Sequence, residues 1–250
     1  MTGPAAIARS VALYWGDARR RASLDRWYRR FLGPGSLAFD IGAHVGDRTA
    51  CFRRLGARVV AVEPQPALAR FLCRRFRADP EVVVLAHAVG ARPGRVVLHV
   101  NEANPTVSTA SADFLRAADG APGWEGQAWT RRLAVPATTL AALIDRHGAP
   151  DFVKIDVEGC EAAVLAGLRR AVPALSFEFT TIQRAVAHAA LARLATLGYR
   201  AFNASLGESL RFSLPGPADA ATMREWIDAL PVEANSGDVY ASLTPRALAR

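Results

Sequence analysis

The sequence predicts an α/β protein: a mostly parallel sheet with helices packed on both faces. Three observations carry this reading. From residue 36 onward, short β-branched runs alternate with longer Ala/Leu/Arg segments, the βαβ order of a parallel sheet. The run Ser36-Leu37-Ala38-Phe39-Asp40-Ile41 leads directly into a glycine turn and then a helical segment. The chain is 250 residues long with 51% hydrophobic and 22% charged residues, which suits one globular α/β domain with modest additions.

The elements follow in order. Residues 1–35 form an Arg-rich helical extension, and 36–250 form the α/β domain. Within the domain, 36–41 is a strand, 49–55 a helix, 58–62 a strand, 67–77 a helix and 82–86 a strand. Residues 95–100 and 132–136 are further short strands. Between them, 101–130 is rich in Asn, Ser, Gly and Trp and is long for a plain connection, so it is expected to be an acceptor loop or lid. Trp124 and Trp129 are its aromatic candidates for acceptor contacts, with packing within the chain as the competing role. The alternation then resumes with a helix over 139–147, a strand over 151–157, a helix over 161–171 and a strand over 175–180. A helix over 184–197, a strand over 199–203, a helix over 218–230 and a last strand over 239–243 complete it.

Charge and cysteine content exclude several classes. The formal net charge is +8, and Lys154 is the one lysine among 31 basic residues. Abundant Arg and Ala read as GC-rich, bacterial coding. The Arg excess sits largely in 9–30, 53–54 and 70–77, where it reads as solvated helix faces. Cys51, Cys73 and Cys160 are scattered and odd in number, so they make neither a disulfide framework nor a CxxC zinc site. No run approaches the roughly 18 apolar residues of a membrane span. The apolar stretch from Met1 to Trp15 precedes its basic residues, the reverse of a secretory signal. The expectation is a soluble, reduced, cytoplasmic protein.

The most informative segment is Phe39-Asp40-Ile41-Gly42-Ala43-His44-Val45-Gly46-Asp47. Glycines let a backbone turn sharply and approach a ligand closely. The exposed amides at the start of the next helix favour polar or anionic groups. Val62-Glu63-Pro64 ends the second strand 21 positions after Gly42, where a carboxylate can accept both hydroxyls of a ribose. A dinucleotide and S-adenosylmethionine both fit this layout. The spacing is G-x-x-x-G rather than G-x-G-x-x-G, so the middle glycine of a pyrophosphate turn is missing. Asp40 before the turn repels phosphates and suits an aminoacyl ammonium. Both points favour S-adenosylmethionine.

A second constellation is Asp151-Phe152-Val153-Lys154-Ile155-Asp156-Val157-Glu158-Gly159. Ligands in open α/β sheets bind outside the carboxyl ends of the strands. Alternation puts Lys154 and Asp156 on one face, either as a buried ion pair or with Asp156 or Glu158 beside the transferred methyl as substrate orienter or general base. Glu178 at the end of the next strand reaches the same rim. Spacing alone does not support a cation there, so no metal is expected.

The run from Asp40 to Thr49, the Val62-Glu63-Pro64 triplet and Lys154-Ile155-Asp156-Val157-Glu158-Gly159 together resemble the FkbM family of S-adenosylmethionine-dependent methyltransferases, over roughly residues 36–205. The resemblance implies a Rossmann-like, seven-stranded class I methyltransferase fold. It also implies methyl transfer to oxygen, commonly a hydroxyl of a sugar, a glycan or a polyketide-type natural product. By the same resemblance Asp40, Gly42, His44, Gly46 and Glu63 line the cofactor site, and Asp156 and Glu158 lie where cofactor and acceptor meet. His44 stands where the family more often has Asn.

The acceptor is therefore expected to be a small molecule or glycan, with no nucleic acid. A nucleic-acid-binding methyltransferase or non-catalytic cofactor-binding module is the competing class, supported by the high pI and Arg clusters. An NAD-dependent oxidoreductase is disfavoured by the missing glycine. In residues 1–31, Trp15, Trp27, Tyr28 and Phe31 interleave with six arginines between 19 and 30. These aromatics are expected to pack on the core, with peripheral contact to anionic lipid as the functional alternative.

Overall fold

The computed structural model of the protein describes residues 3–249; Met1 and Thr2, which open the apolar stretch, and Arg250 lie outside the described residues. Ten strands are present in chain order among the described residues. They are β1 (Leu37–Ile41), β2 (Arg58–Val62), β3 (Val82–Leu85), β4 (Ala88–Val89), β5 (Gly94–Val100), β6 (Arg131–Thr138), β7 (Phe152–Ile155), β8 (Ala174–Thr180), β9 (Ala201–Leu206) and β10 (Ser236–Ser242). The helices are α1 (Pro4–Trp15), α2 (Ala18–Tyr28), α3 (Asp47–Arg54), α4 (Pro66–Arg75), α5 (Ala112–Ala118), α6 (Leu140–His147), α7 (Glu161–Ala166), α8 (Arg184–Thr196) and α9 (Ala220–Asp228).

Seven strands form one sheet in the order β3-β2-β1-β7-β8-β10-β9. All its pairings are parallel except those of β10, which runs antiparallel to β8 and β9. This is the seven-stranded class I methyltransferase architecture. The strands at 95–100 and 132–136 expected from the sequence exist, but they join β4 in a separate three-stranded sheet.

The two faces of the main sheet differ. Phe39, Ile41, Val153, Ile155, Leu175 and Phe177 point to one face and pack under α6, α7, α8 and α9. The other face carries Ala38, Phe152, Ala174 and Tyr240 and is covered by α2 and α3. On this second face a polar row crosses the sheet in register: Asp40 beside Lys154, Lys154 beside Ser176, Ser176 beside Tyr240, Tyr240 beside Asn203.

The N-terminal extension is two helices joined by a tight turn at Gly16-Asp17, with Asp17 capping α2 through Arg19 N–H. As expected, α2 packs its aromatics on the core. Trp27 donates to the Tyr240 hydroxyl at 2.9 Å, and Tyr28 meets Phe52 and Phe152 edge-on at 4.9 and 5.6 Å. The segment 101–130 is not all loop: Ser111 caps α5 by accepting from Phe114 N–H. Phe114, Trp124 and Trp129 then pack edge-to-face on one another. The tryptophans thus take the packing role.

Because Trp27 is 4% exposed and fills the centre of this face, Trp27→Ala is expected to lower stability by about 3–5 kcal/mol. Urea denaturation followed by circular dichroism measures the loss.

Candidate active site

The carboxyl ends of β1, β2 and β7 open into a cavity of about 950 Å3, counted out into the solvent at its mouth. The glycine turn forms one wall. Gly42 and Ala43 N–H donate to the Val62 carbonyl at 2.9 and 3.1 Å, folding the turn over the end of β2. Gly42, His44 and Gly46 have φ of 84°, 49° and 76°. A β-carbon on Gly42 would run into the Asp156 carbonyl oxygen, so this glycine lets the turn close on the end of β7. One on Gly46 would meet Leu72 and Phe76 of the α4 region at 2.6 and 2.9 Å. Gly46 does not line the cavity; Asp40, Gly42, His44, Glu63, Asp156 and Glu158 all do. His44 takes the left-handed conformation, for which Asn, Asp and His are the tolerated side chains.

Glu63 is 3% exposed. Its Oε2 accepts His44 N–H at 2.9 Å and its Oε1 accepts Gln65 N–H at 2.8 Å. Each oxygen keeps further acceptor capacity, which two ribose hydroxyls can use. Burial pushes the Glu63 carboxyl up to about 7, against the pull of these two amides. Asp40 is 2% exposed and accepts the Thr49 hydroxyl at 2.6 Å; burial pushes it up to about 6. Burial lowers His44 to about 4, so its ring is neutral at pH 7, and its Nε2 has no partner. The residues present therefore fit an adenosyl group at Glu63 and an ammonium at Asp40.

The opposite wall carries Asp156 and Glu158, with Glu178 and Asp238 beside them but not lining the cavity. Alternation along β7, β8 and β10 stacks Asp156, Glu178 and Asp238 one step beyond the polar row, with Asp238 directly opposite Glu178. Lys154 Nζ, 3% exposed, lies 2.9 Å from Asp238 Oδ1 and 3.1 Å from Asp156 Oδ2. The ion pair is thus present, and Asp156 still lines the cavity. Asp156, Glu158 and Glu178 bring carboxylate oxygens within 4.8 Å of one another. Burial would raise Asp156, but Lys154 and a hydrogen bond from Glu178 hold it below the usual carboxylate range. Burial, and then the charge on Asp156, push Glu158 and Glu178 well above that range. The cluster thus favours the ionised form of Asp156 and the protonated forms of Glu158 and Glu178.

Several lining residues escaped sequence reasoning. Tyr14 of α1 lines the cavity, edge-on to His44 at 5.6 Å and within hydrogen-bonding reach of Thr106. Arg20 and Arg48 both bind Asp47, at 2.7 and 2.6 Å, and both bind Glu208, at 3.1 and 2.7 Å. This ties α2, α3 and the turn after β9 together at the mouth. Segment 101–130 reaches the cavity through Pro105, Thr106, Ser108 and Ala110. His87 lines it with an unpartnered Nδ1, while His99 lies on the small sheet. Among these only the 101–130 segment carried a sequence signal.

Removing buried Lys154 leaves two carboxylates, partly buried Asp238 and more open Asp156, without their shared cation. Lys154→Met is expected to cost about 3–5 kcal/mol in denaturation experiments and to raise the Asp156 pKa, readable by 13C NMR of the carboxyl.

A family model described as the methyltransferase FkbM domain matches residues 40–201. A search of curated proteins finds no match. Among solved structures, an S-adenosylmethionine-dependent methyltransferase from Aquifex aeolicus is 11% identical with a TM-score of 0.46, covering 98% of this chain and 100% of that one. Precorrin-6y C5,15-methyltransferase from Geobacter metallireducens is 13% identical with a TM-score of 0.44, covering 90% and 87%. Fibrillarin from Aeropyrum pernix, solved with natively bound S-adenosyl-L-methionine, is 12% identical with a TM-score of 0.42, covering 84% and 67%. With 40–201 matched, and with the glycine turn, Glu63 and the Lys154–Gly159 run all inside that span, the chain belongs to the FkbM family of S-adenosylmethionine-dependent methyltransferases.

Proposed function

We propose that the protein methylates a hydroxyl oxygen of a sugar, glycan or polyketide-type natural product. The observation that supports this reading is the acidic mouth, where Asp156, Glu158 and Glu178 converge. Carboxylates and carboxyls side by side can accept from and donate to the several hydroxyls of a polyol. The same surface repels a phosphate backbone, which speaks against a nucleic-acid acceptor.

When bound, S-adenosylmethionine supplies an electrophilic methyl on a sulfonium centre. The remaining work falls to the chain. Asp156, held ionised by Lys154, takes the hydrogen bond of the acceptor hydroxyl and orients its lone pair. The oxygen loses its hold on the proton as its bond to carbon forms, so even a weak carboxylate base suffices. Glu178 hydrogen-bonds Asp156, and Glu158, on the cavity wall, can donate to a neighbouring acceptor oxygen. The neutral ring of His44 adds no cationic repulsion near the sulfonium. Lys154 and the protons on Glu158 and Glu178 already offset the charge of the cluster, so the reaction is proposed to need no metal. The free thiols of Cys51, Cys73 and Cys160 fit a reducing cytoplasmic setting; no described helix is long and apolar enough to cross a membrane.

Cofactor binding should release protons. Asp40 and Glu63, raised to about 6 and about 7, must ionise to receive an ammonium and a ribose. Affinity for S-adenosylhomocysteine is therefore expected to rise from pH 5.5 to pH 8, about as steeply as the loss of these two protons dictates. Calorimetry in two buffers of different ionisation enthalpy counts the protons. Glu63→Gln should weaken binding and abolish the step near pH 7; a flat profile in the wild type would overturn the assignment.

Asp156→Ala is expected to keep cofactor binding while kcat falls by about 100-fold or more. In the same assay the wild-type rate should survive chelation by EDTA. A near-normal kcat in Asp156→Ala would sink the role given to Asp156, and a rate lost to EDTA and restored by Mg2+ would sink the metal-free reading.

A further inference from the structure

Helix α1 leaves apolar surface half-covered. Its sequence, PAAIARSVALYW, holds one charged residue, Arg9, and its buried positions are Ala6 and Ser10. Tyr14 and Trp15 turn to the domain: Tyr14 lines the cavity and Trp15 donates to the Val45 carbonyl at 3.1 Å. Ile7 and Val11, one turn apart on another side of the helix, are partly exposed. A surface helix ordinarily turns its apolar stripe inward and its polar residues to water.

Ile7 and Val11 face a groove of about 1410 Å3, counted out to solvent, between α1 and α4. Ile7 and Val11 form one wall; Ala67 and Phe71 form the other. The charges on the two helices are all of one sign. Arg9 on α1 and Arg70, Arg74 and Arg75 on α4 are exposed, and neither helix has an acidic residue. Arg19, Arg21 and Arg26 add exposed positive charge on the neighbouring α2.

An apolar strip edged by arginines matches the boundary of an anionic bilayer, where acyl chains lie under negative headgroups. A second copy of this chain would set one cationic rim against another. Single-stranded RNA would need exposed aromatic faces to stack its bases, whereas Trp15 is covered by the Arg75 guanidinium at 4.5 Å. We propose that the α1 face, with the α1–α4 groove, docks this protein on an anionic lipid bilayer as a peripheral, non-spanning contact. At 12 residues α1 is far too short to cross. The proposal holds whatever the acceptor is.

The test is co-sedimentation of the full chain with vesicles of phosphatidylcholine and of a phosphatidylcholine–phosphatidylglycerol mixture. Binding is expected to the mixture only and to fall as salt rises. It should be lost in Val11→Glu and in Arg74→Glu, tested separately. Both positions line the groove and lie outside the cavity, so thermal melting and S-adenosylhomocysteine binding should match the wild type. Absence of wild-type binding to the mixture, or binding by either variant equal to that of the wild type, would overturn the proposal. So would a wild-type dimer in light scattering that Val11→Glu makes monomeric, because the face would then be an interface between copies.

Discussion

The ammonium of Lys154 lies almost wholly out of water, 2.9 Å from Asp238 and 3.1 Å from Asp156. It occupies the middle of the sheet, with Asp40 on one neighbouring strand and Ser176 on the other. A charge at this depth is tolerated only when paired and hydrogen-bonded. The pairing therefore dictates much around it. It requires an acidic residue on β10, which runs antiparallel and closes one side of the cluster, and another two positions along β7. The compact, strongly hydrated point charge of lysine differs from the planar arginine fork, and lysine stands here in a chain whose other 30 basic residues are arginine. With Lys154 fixed, Asp156 stays ionised while its neighbours Glu158 and Glu178 take up protons. The chemistry at the mouth follows from one cation two residues below it.

The same polar row explains why the N-terminal extension is part of the domain. Asp40, Lys154, Ser176 and Tyr240 make their face of the sheet unsuited to a plain aliphatic cover. α2 supplies Trp27, whose indole N–H meets the Tyr240 hydroxyl, and Tyr28, and the turn after it supplies Phe31; the rings of Tyr28 and Phe31 lie against Phe152. Once α2 is seated, Arg20 reaches Asp47 and Glu208 at the cavity mouth. Tyr14, on the helix before, then lines the cavity itself. These residues precede the span matched by the FkbM model, which begins at residue 40. Part of the site is thus built by chain outside the shared core.

What was legible in the sequence was what is local. Strands β1, β2 and β7, the glycine turn and Glu63 each declare themselves within a few residues, because strand alternation and turn chemistry act at that range. Lys154 and Asp156 could be placed on one face by counting in twos. Asp238 could not be tied to them, since only the antiparallel return of β10 sets it opposite Glu178. Tyr14 and Glu208 were likewise invisible: each reaches the cavity through the packing of a helix or turn far away in the chain. The glycines were recognised, but their reason was not. Gly42 gives way to the backbone of Asp156, and Gly46 gives way to Leu72 and Phe76. Trp124 and Trp129 resemble acceptor contacts in sequence; Trp124 lies in a small satellite cluster with Phe114, and Trp129 packs against that cluster.

Charge is segregated in this molecule, and the segregation changes what the high net charge means. The formal charge is +8, yet the cavity is lined by Asp40, Asp47, Glu63, Asp156, Glu158 and Glu208. Its cations, Lys154 and Arg48, are each held by two carboxylates. The positive excess lies elsewhere, on exposed arginines of α1, α2 and α4. A polyanion drawn to that exterior meets an acidic mouth if it approaches the site, so the basic surface does not select an anionic acceptor. Recognition at the mouth and attraction at the exterior are separate physical problems with opposite signs. A cationic cofactor and a neutral polyol suit the first, and a negatively charged surface suits the second.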